Sequence, residues 1–369
     1  MSGLTISNLT KRYKSDVVLD DISLEIAEGE TLVLFGPSGA GKTVLLRCIA
    51  GAVDPEAGTI MIGGTDMTDV PPEGRGVGMA FQNFALFPHM TAFDNIASPL
   101  TARRFGREKI RAGVEAVAKL LKIDHVLSHA PKALSNGQKQ RTALARALAA
   151  QPKMLLLDDP LRNVDAKLRF EMRLELPRLL SEQGATVIYV TQDYKEAMAL
   201  ADKIAVLVEG RIVQIGTPED IYLRPADIRI AEQFGDPAIN LLDVTPECDA
   251  QGNFVSLSKK RLALGPGYDS AVGRPCILGI RPEAIGFSSG PDAIEVEIEA
   301  ETPFNEKTVT LAQTTGGREI LISRPAGTPA PASGTAGVDI DASAAVLFDQ
   351  ETGRRIEPES DKKRARDAA

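Results

Sequence analysis

The chain has 369 residues, with 42 Lys and Arg against 50 Asp and Glu and a net charge of −8. Single cores stop growing near ~250–300 residues, so two domains are expected. The acidic balance argues against a dedicated nucleic-acid binder, and no apolar run approaches the ~18 residues of a membrane span. Cys48, Cys248 and Cys276 are scattered and odd in number, giving neither a disulfide framework nor a metal spacing. Met1 to Leu4 lacks the basic-then-apolar pattern of a secretory signal, and reducing cytosol is the expected compartment.

Leu4 to Tyr13 alternates as a half-buried strand does, and Val17 to Ile26 reads as a second. Tyr13 is either edge packing or a platform for an adenine ring, and the pattern alone favours packing. Glu28-Gly29-Glu30 turns the chain into Leu32-Val33-Leu34-Phe35, an apolar run of a buried strand. There follow Gly36, Pro37, Ser38, Gly39, Ala40, Gly41, Lys42 and Thr43, and then a helix from about Thr43 to Ile49. This G-x-x-x-x-G-K-[ST] spacing between strand and helix is that of a phosphate-binding loop. Its glycines let backbone N–H groups turn inward, and the helix N-terminus adds its positive dipole end. Lys42 is expected on the β- and γ-phosphates and Thr43 on Mg²⁺.

Thr59 to Ile62 and Val77 to Phe81 read as further strands. Ile110, Val114, Val117 and Leu121 recur at helical spacing, with Arg111, Glu115 and Lys119 on the opposite, solvated face. A second helix follows Leu134-Ser135-Asn136-Gly137-Gln138 and runs to about Ala150, so a helical insert at about 87–151 separates two strand-rich parts. Met154-Leu155-Leu156-Leu157 suits a parallel strand covered on both faces and ends in Asp158-Asp159-Pro160. A carboxylate at that end faces the ligand crevice, which places Asp158 to hold Mg²⁺ or its water shell. A helix from about 166 to 182 leads to Thr186 to Val190, which ends in Thr191-Gln192-Asp193. Glu209-Gly210 joins a hairpin of 204–207 and 211–214. Past Phe234 short strands, glycines and prolines indicate a small β-rich domain; 325–337 reads as a loop and 357–369 as a disordered, charged tail. Lys362-Lys363-Arg364 reads as solvated rather than lipid-binding.

Taken in order, these motifs resemble the ATP-binding subunit of an ABC transporter, in the importer subclass that serves carbohydrates and polyols. The resemblance implies an α/β, P-loop ABC-type nucleotide-binding domain over 1–234, with a helical subdomain at about 87–151. It implies a C-terminal, β-rich, OB-like regulatory domain over 235–356, where Asn240-Leu241-Leu242 and Gly279-Ile280-Arg281-Pro282-Glu283 look like the family. ATP and Mg²⁺ are the implied ligands. Tyr13 would stack on adenine and 36–43 would be Walker A. Gln82 would be the Q-loop glutamine near metal and water, Asp158 the Walker B aspartate and Asp165 the D-loop aspartate. Ser135, Gly137 and Gln138 of the signature would face the ATP of a second chain. Implied partners are transmembrane permease subunits, a second ATP-binding subunit in a homo- or heterodimer and, indirectly, a solute-binding protein. No nucleic acid is expected. The chain would sit peripherally on the cytoplasmic face of the inner membrane.

Four motifs depart from the family pattern. Asp159 stands for the glutamate that polarises the attacking water and is shorter by one C–C bond, about 1.5 Å. Gln192 stands for the switch histidine; it can donate a hydrogen bond but carries no charge. Asn136 replaces the first signature glycine, and Arg162-Asn163-Val164-Asp165 replaces Ser-Asn-Leu-Asp. His89, His125 and His129 all lie far from 192 in sequence. The resulting expectation is a site that binds MgATP, hydrolyses it slowly and pairs with a second ATPase chain, with glycerol or glycerol phosphate as a candidate solute. The alternatives are a homodimeric motor for another solute such as a polyamine, a non-hydrolysing regulatory subunit and, ranked below both, a soluble ABC protein.

Overall fold

The computed structural model describes residues 2–358 apart from 82, 258–259, 330 and 332–333. Gln82 and the tail from 359 onward therefore lie outside the described residues. The chain separates into two compact units at Pro218/Glu219.

The first unit runs β1 (Ser2–Tyr13), β2 (Asp16–Ala27), β3 (Thr31–Phe35), α1 (Lys42–Ile49), β4 (Ala57–Ile62), β5 (Thr65–Asp66) and β6 (Val77–Ala80). Next come α2 (Ala92–Ala102), α3 (Arg107–Leu120), α4 (Asn136–Ala149), β7 (Met154–Asp158), α5 (Ala166–Gln183), β8 (Thr186–Thr191), α6 (Tyr194–Leu200), β9 (Lys203–Val208) and β10 (Arg211–Gly216). Two sheets result. One has the order β2-β1-β4-β5, all antiparallel. The other has the order β10-β9-β3-β8-β7-β6 and is parallel except for the β9–β10 hairpin. Every residue of β3, β7 and β8 is buried, as continuous apolar runs covered on both faces require. Phe35 pairs with Thr191 and Asp158 with Val190, so the C-terminal ends of β3, β7 and β8 lie at one edge. Ligands bind along such an edge in parallel sheets.

The helices between β6 and β7 form the insert. Residue pattern alone brought out α3 and α4 but not α2. Pro99 lies inside α2 and obscures its period, while its N-terminal signal is a capping box between Thr91 and Asp94. Buried Asn95, within α2, ties down the loop before the helix: it accepts from the Phe87 N–H at 2.8 Å and donates to the carbonyls of Phe87, Met90 and Thr91.

The second unit begins within α7 (Pro218–Leu223) and continues through α8 (Ile228–Gln233), β11 (Asn240–Val244), β12 (Glu247–Asp249), β13 (Gly252–Leu257), β14 (Lys260–Ala263) and β15 (Cys276–Ile280). It ends with β16 (Ile285–Phe287), β17 (Ile294–Pro303), β18 (Lys307–Thr314), β19 (Glu319–Pro325), β20 (Thr335–Ile340) and β21 (Val346–Asp349). Antiparallel sheets of order β11-β15-β21, β12-β13-β14 and β16-β20-β17-β18-β19 enclose one apolar core that includes Val255, Leu278, Ile322 and Val338. The unit starts ahead of the composition shift at 234 because Arg281 ties α7 and α8 to the strands. Its guanidinium, 5% exposed, donates to the carbonyls of Tyr222 (2.8 Å), Ala231 (2.9 Å) and Phe234. Residues 335–337, expected in a loop, begin β20. Gly337 suits that strand because a Cβ there would meet Ala293 at 2.8 Å and would also collide with the Ser288 carbonyl.

Candidate active site

The loop 36–41 leaves β3 and delivers the chain into α1. Gly41 is the residue before the helix, at φ +103°, and no side chain caps the first turn. The free N–H groups of that turn form an anion site. A Cβ at Gly41 would lie 2.8 Å from the Val18 carbonyl oxygen, so glycine is required both by φ and by close approach. Lys42 Nζ folds back to donate to the carbonyls of Gly36 and Pro37, both at 2.7 Å. The ammonium is 6% exposed, and burial lowers its pKa against the opposing pull of Asp159 and Asp158.

Thr43 Oγ1 donates to Asp158 Oδ1 at 3.2 Å. Asp158 closes β7 and is 3% exposed; burial pushes its carboxyl above the ordinary range, and the Thr43 hydrogen bond works against that shift. A hydroxyl beside a carboxylate is the oxygen donor set a hard cation such as Mg²⁺ takes, so these residues fit the metal. The glycine cradle and Lys42 likewise fit a polyphosphate.

Asp159 follows in the left-handed region, φ +51°, where aspartate is one of the tolerated residues. Its N–H donates to the Val190 carbonyl at 3.0 Å, and its own carbonyl accepts from Gln140 Nε2 at 2.8 Å. Burial raises the pKa of its carboxyl, and the strongest counterweight is Arg162, whose Nη1 stands 3.7 Å from Asp159 Oδ2. Lys42, Thr43, Asp158, Asp159, Arg162 and Gln192 line one cleft of ≈ 260 Å³ together with the loop residues Ser38, Gly39, Ala40 and Gly41.

Other expected site residues lie elsewhere. Tyr13 is 45% exposed at the end of β1, with Lys11 Nζ 5.2 Å from its ring centroid, and it does not line the cleft. Ser135, Gly137 and Gln138 sit at the start of α4, also outside the cleft. Ser135 Oγ accepts from the Gln138 N–H at 3.2 Å while Gln138 Oε1 accepts from the Ser135 N–H at 2.9 Å. The pair thus caps its own helix.

Three residues that hold the site in place were not apparent from motif spacing. Gln140, 4% exposed, donates to the Asp159 carbonyl and accepts from the Asn163 N–H at 2.8 Å, tying α4 to both sides of 160–162. Glu196, 2% exposed, accepts from Tyr189 OH at 2.8 Å and Thr191 Oγ1 at 2.9 Å. Arg173 pairs with Asp193. Gln192 is therefore clamped by its neighbours on both sides. No local pattern marks them, since each lies among other polar residues in the sequence and is set apart only by the partners its burial requires.

The family model "ABC transporter" matches residues 19–162, and the model "MalK OB fold domain" matches residues 235–285. The chain is 40% identical over 366 residues to the sn-glycerol-3-phosphate import ATP-binding protein UgpC of Yersinia pseudotuberculosis, covering 97% of this chain and 100% of the relative. It is 43% identical over 295 residues to the trehalose/maltose import ATP-binding protein MalK of Thermococcus litoralis, covering 77% and 78%. Among solved structures, a dimeric post-hydrolysis state of the ATP-binding cassette MJ0796 bound to ADP and Pi aligns with 31% identity and a TM-score of 0.55, over 58% of this chain and 98% of that one. With Walker A, the Walker B aspartate and the β-rich second unit all in place, this chain belongs to the family of ABC transporter import ATP-binding proteins, in the branch with a MalK-type OB domain.

Proposed function

We propose that this chain is an ATPase subunit that drives uptake of a phosphorylated polyol or a sugar, and that its own site binds MgATP but hydrolyses it slowly. The solute class is supported by the relatives, of which one is an sn-glycerol-3-phosphate import subunit and the other a trehalose/maltose import subunit. Thr43 and Asp158 hold Mg²⁺, which when bound shields the phosphate charge. Lys42 and the 36–43 backbone hold the β- and γ-phosphates. Tyr13 offers its exposed face to adenine, and Ser135 and Gly137 serve the nucleotide of a second chain. The subunit docks on membrane permeases from the cytoplasmic side; no described helix is long and apolar enough to cross the membrane itself.

The observation that carries slow hydrolysis is that Asp159 and Gln192 line the same cleft as Lys42 and Thr43. Both departures fall on one reaction centre, while the binding groups are intact. A misplaced base costs roughly 10²–10⁴ in rate and a lost donor on the order of 10²–10³. A slow site on this chain is compatible with transport when a second, different ATPase chain supplies the working site, and that pairing is part of the proposal. The dimeric state of the 31%-identical cassette favours a second reading, a homodimer of this chain that tolerates both residues.

ATPase turnover of the wild-type chain and of the double variant Asp159→Glu, Gln192→His, both at saturating MgATP, separates the two. Slow hydrolysis predicts a rise of at least about 100-fold in the double variant. Equal and fast turnover in both proteins would leave the homodimeric motor.

A further inference from the structure

We propose that Arg162 is a catalytic residue of this cleft: an arginine, supplied by the chain itself, that contacts the γ-phosphoryl group and provides the positive charge Gln192 lacks. The proposal rests on the nucleotide reading above and deepens it.

Arg162 is one of the departures from the family pattern, an arginine where the D-loop has serine. It lies on the turn between Asp159 and Asp165, and that turn is fixed. Its N–H donates to the Asp159 carbonyl at 3.4 Å, its carbonyl accepts from Arg169 Nη2 at 3.0 Å, and the next N–H, of Asn163, is held by Gln140. The side chain projects into the same cleft as Lys42, Asp159 and Gln192. It differs from the protein's structural arginines. Arg75 and Arg281 are buried and spend their donors on backbone carbonyls. Arg162 keeps its side chain 53% exposed and meets the Asp159 carboxylate at 3.7 Å, longer than a hydrogen bond.

The charges of the cleft indicate what this guanidinium does. Asp158 and Asp159 bring two carboxylates. Lys42 is seated on the carbonyls of Gly36 and Pro37. Arg162 is the cation that acts most strongly on Asp159, ahead of Lys42 and Arg169. In hydrolysis the bond from phosphorus to the β,γ-bridging oxygen breaks as the bond from water forms. Asp159 orients the water, whose proton leaves to solvent. Negative charge develops on the transferred group and on the leaving oxygen. A planar guanidinium with several donors matches those oxygens. Arginines placed this way in other nucleotide hydrolases are worth about 10³–10⁵ in rate. Here the same group also steadies the short carboxylate of Asp159 before nucleotide arrives.

The test compares wild type, Arg162→Ser and Arg162→Lys, measuring MgADP affinity with and without fluoroaluminate, a mimic of the transferred phosphoryl group, alongside ATPase turnover. Arg162→Ser is expected to leave MgADP affinity within about twofold, to reduce the tightening caused by fluoroaluminate by at least about tenfold, and to lower kcat by roughly 10²–10³. Arg162→Lys should recover part of both, because it restores charge without the planar fork. Equal tightening in wild type and Arg162→Ser overturns the proposal, as does a wild type whose MgADP affinity fluoroaluminate leaves unchanged. A wild type that binds no MgADP overturns the nucleotide reading itself and the role of Arg162 with it. These results are distinguishable, since the first two leave nucleotide binding in place.

Discussion

The floor and the wall of the cleft are built by different means. The floor, 36–43 with Asp158, works through backbone: glycines forced by close approach, free N–H groups at the start of α1, and a lysine folded onto its own loop. The wall, Asp159, Arg162 and Gln192, works through side chains carried on loops just past strand ends. The floor keeps the family pattern and the wall departs from it. Cradling a polyphosphate depends on a geometry that tolerates little change, because a Cβ at Gly41 or Gly36 meets neighbouring backbone. The rate depends on side-chain length and charge, which can vary at the wall without disturbing the strands behind it.

The largest effect expected from the floor comes from Lys42→Ala. The variant removes the ammonium proposed to meet the phosphates and frees the Gly36 and Pro37 carbonyls. Turnover should fall on the order of 10²–10³, and nucleotide affinity should fall with it. Isothermal titration with MgATP beside an ATPase assay checks both. Retained turnover would mean that hydrolysis takes place away from this cleft and would dissolve the comparison. A smaller effect is expected from Gly41→Ala. Here alanine must adopt φ +103° with its Cβ 2.8 Å from the Val18 oxygen and 2.9 Å from Leu19 Cδ2. A left-handed alanine costs about 1–2 kcal/mol, so thermal unfolding should show that loss together with a drop of about tenfold in MgATP affinity. If affinity holds while stability drops, the floor adapts more than its geometry suggests.

How far the chain could be read in advance follows the same division. Strands β3, β7 and β8 and the floor residues are plain in the sequence because apolar runs and a fixed glycine spacing report backbone geometry directly. Asp159, Gln192 and Arg162 stand out as departures from a pattern, but their meeting in one cleft is a fact of the parallel register that pairs Phe35 with Thr191 and Asp158 with Val190. Gln140, Glu196 and Arg173 were silent. Each acts through a partner distant in the chain or on another element, and nothing in local spacing marks that. Helix α2 was hidden by Pro99 although Thr91 and Asp94 carry its cap. The start of the second unit was hidden because Arg281 reaches back across many residues to bind the carbonyls of α7 and α8.

The smallest effect expected is at Glu196, behind the wall, and its sign is the informative part. Burial holds the Glu196 carboxyl above the ordinary range, while the hydroxyls of Tyr189 and Thr191 pull it down and Asp193 pushes it up. A carboxyl whose folded pKa is raised is favoured in its protonated form. That contribution to stability is fully present below the unfolded value near ~4.3 and is lost as pH rises through the raised folded value. Glutamine does not carry the cost of ionising a buried carboxyl, and it can still accept from Tyr189 OH and Thr191 Oγ1. Glu196→Gln should leave stability at pH 7 unchanged or raise it by about 0.5–2 kcal/mol, with the difference disappearing below about pH 4. MgADP affinity, a property of the floor, should not move. The opposite sign would mean that the Glu196–Arg173 approach, at 3.9 Å, is a supporting ion pair, since removing one partner of a buried pair costs about 3–5 kcal/mol. Arg173 would then hold Gln192 through two carboxylates instead of through Asp193 alone, and the wall would be as rigidly specified as the floor.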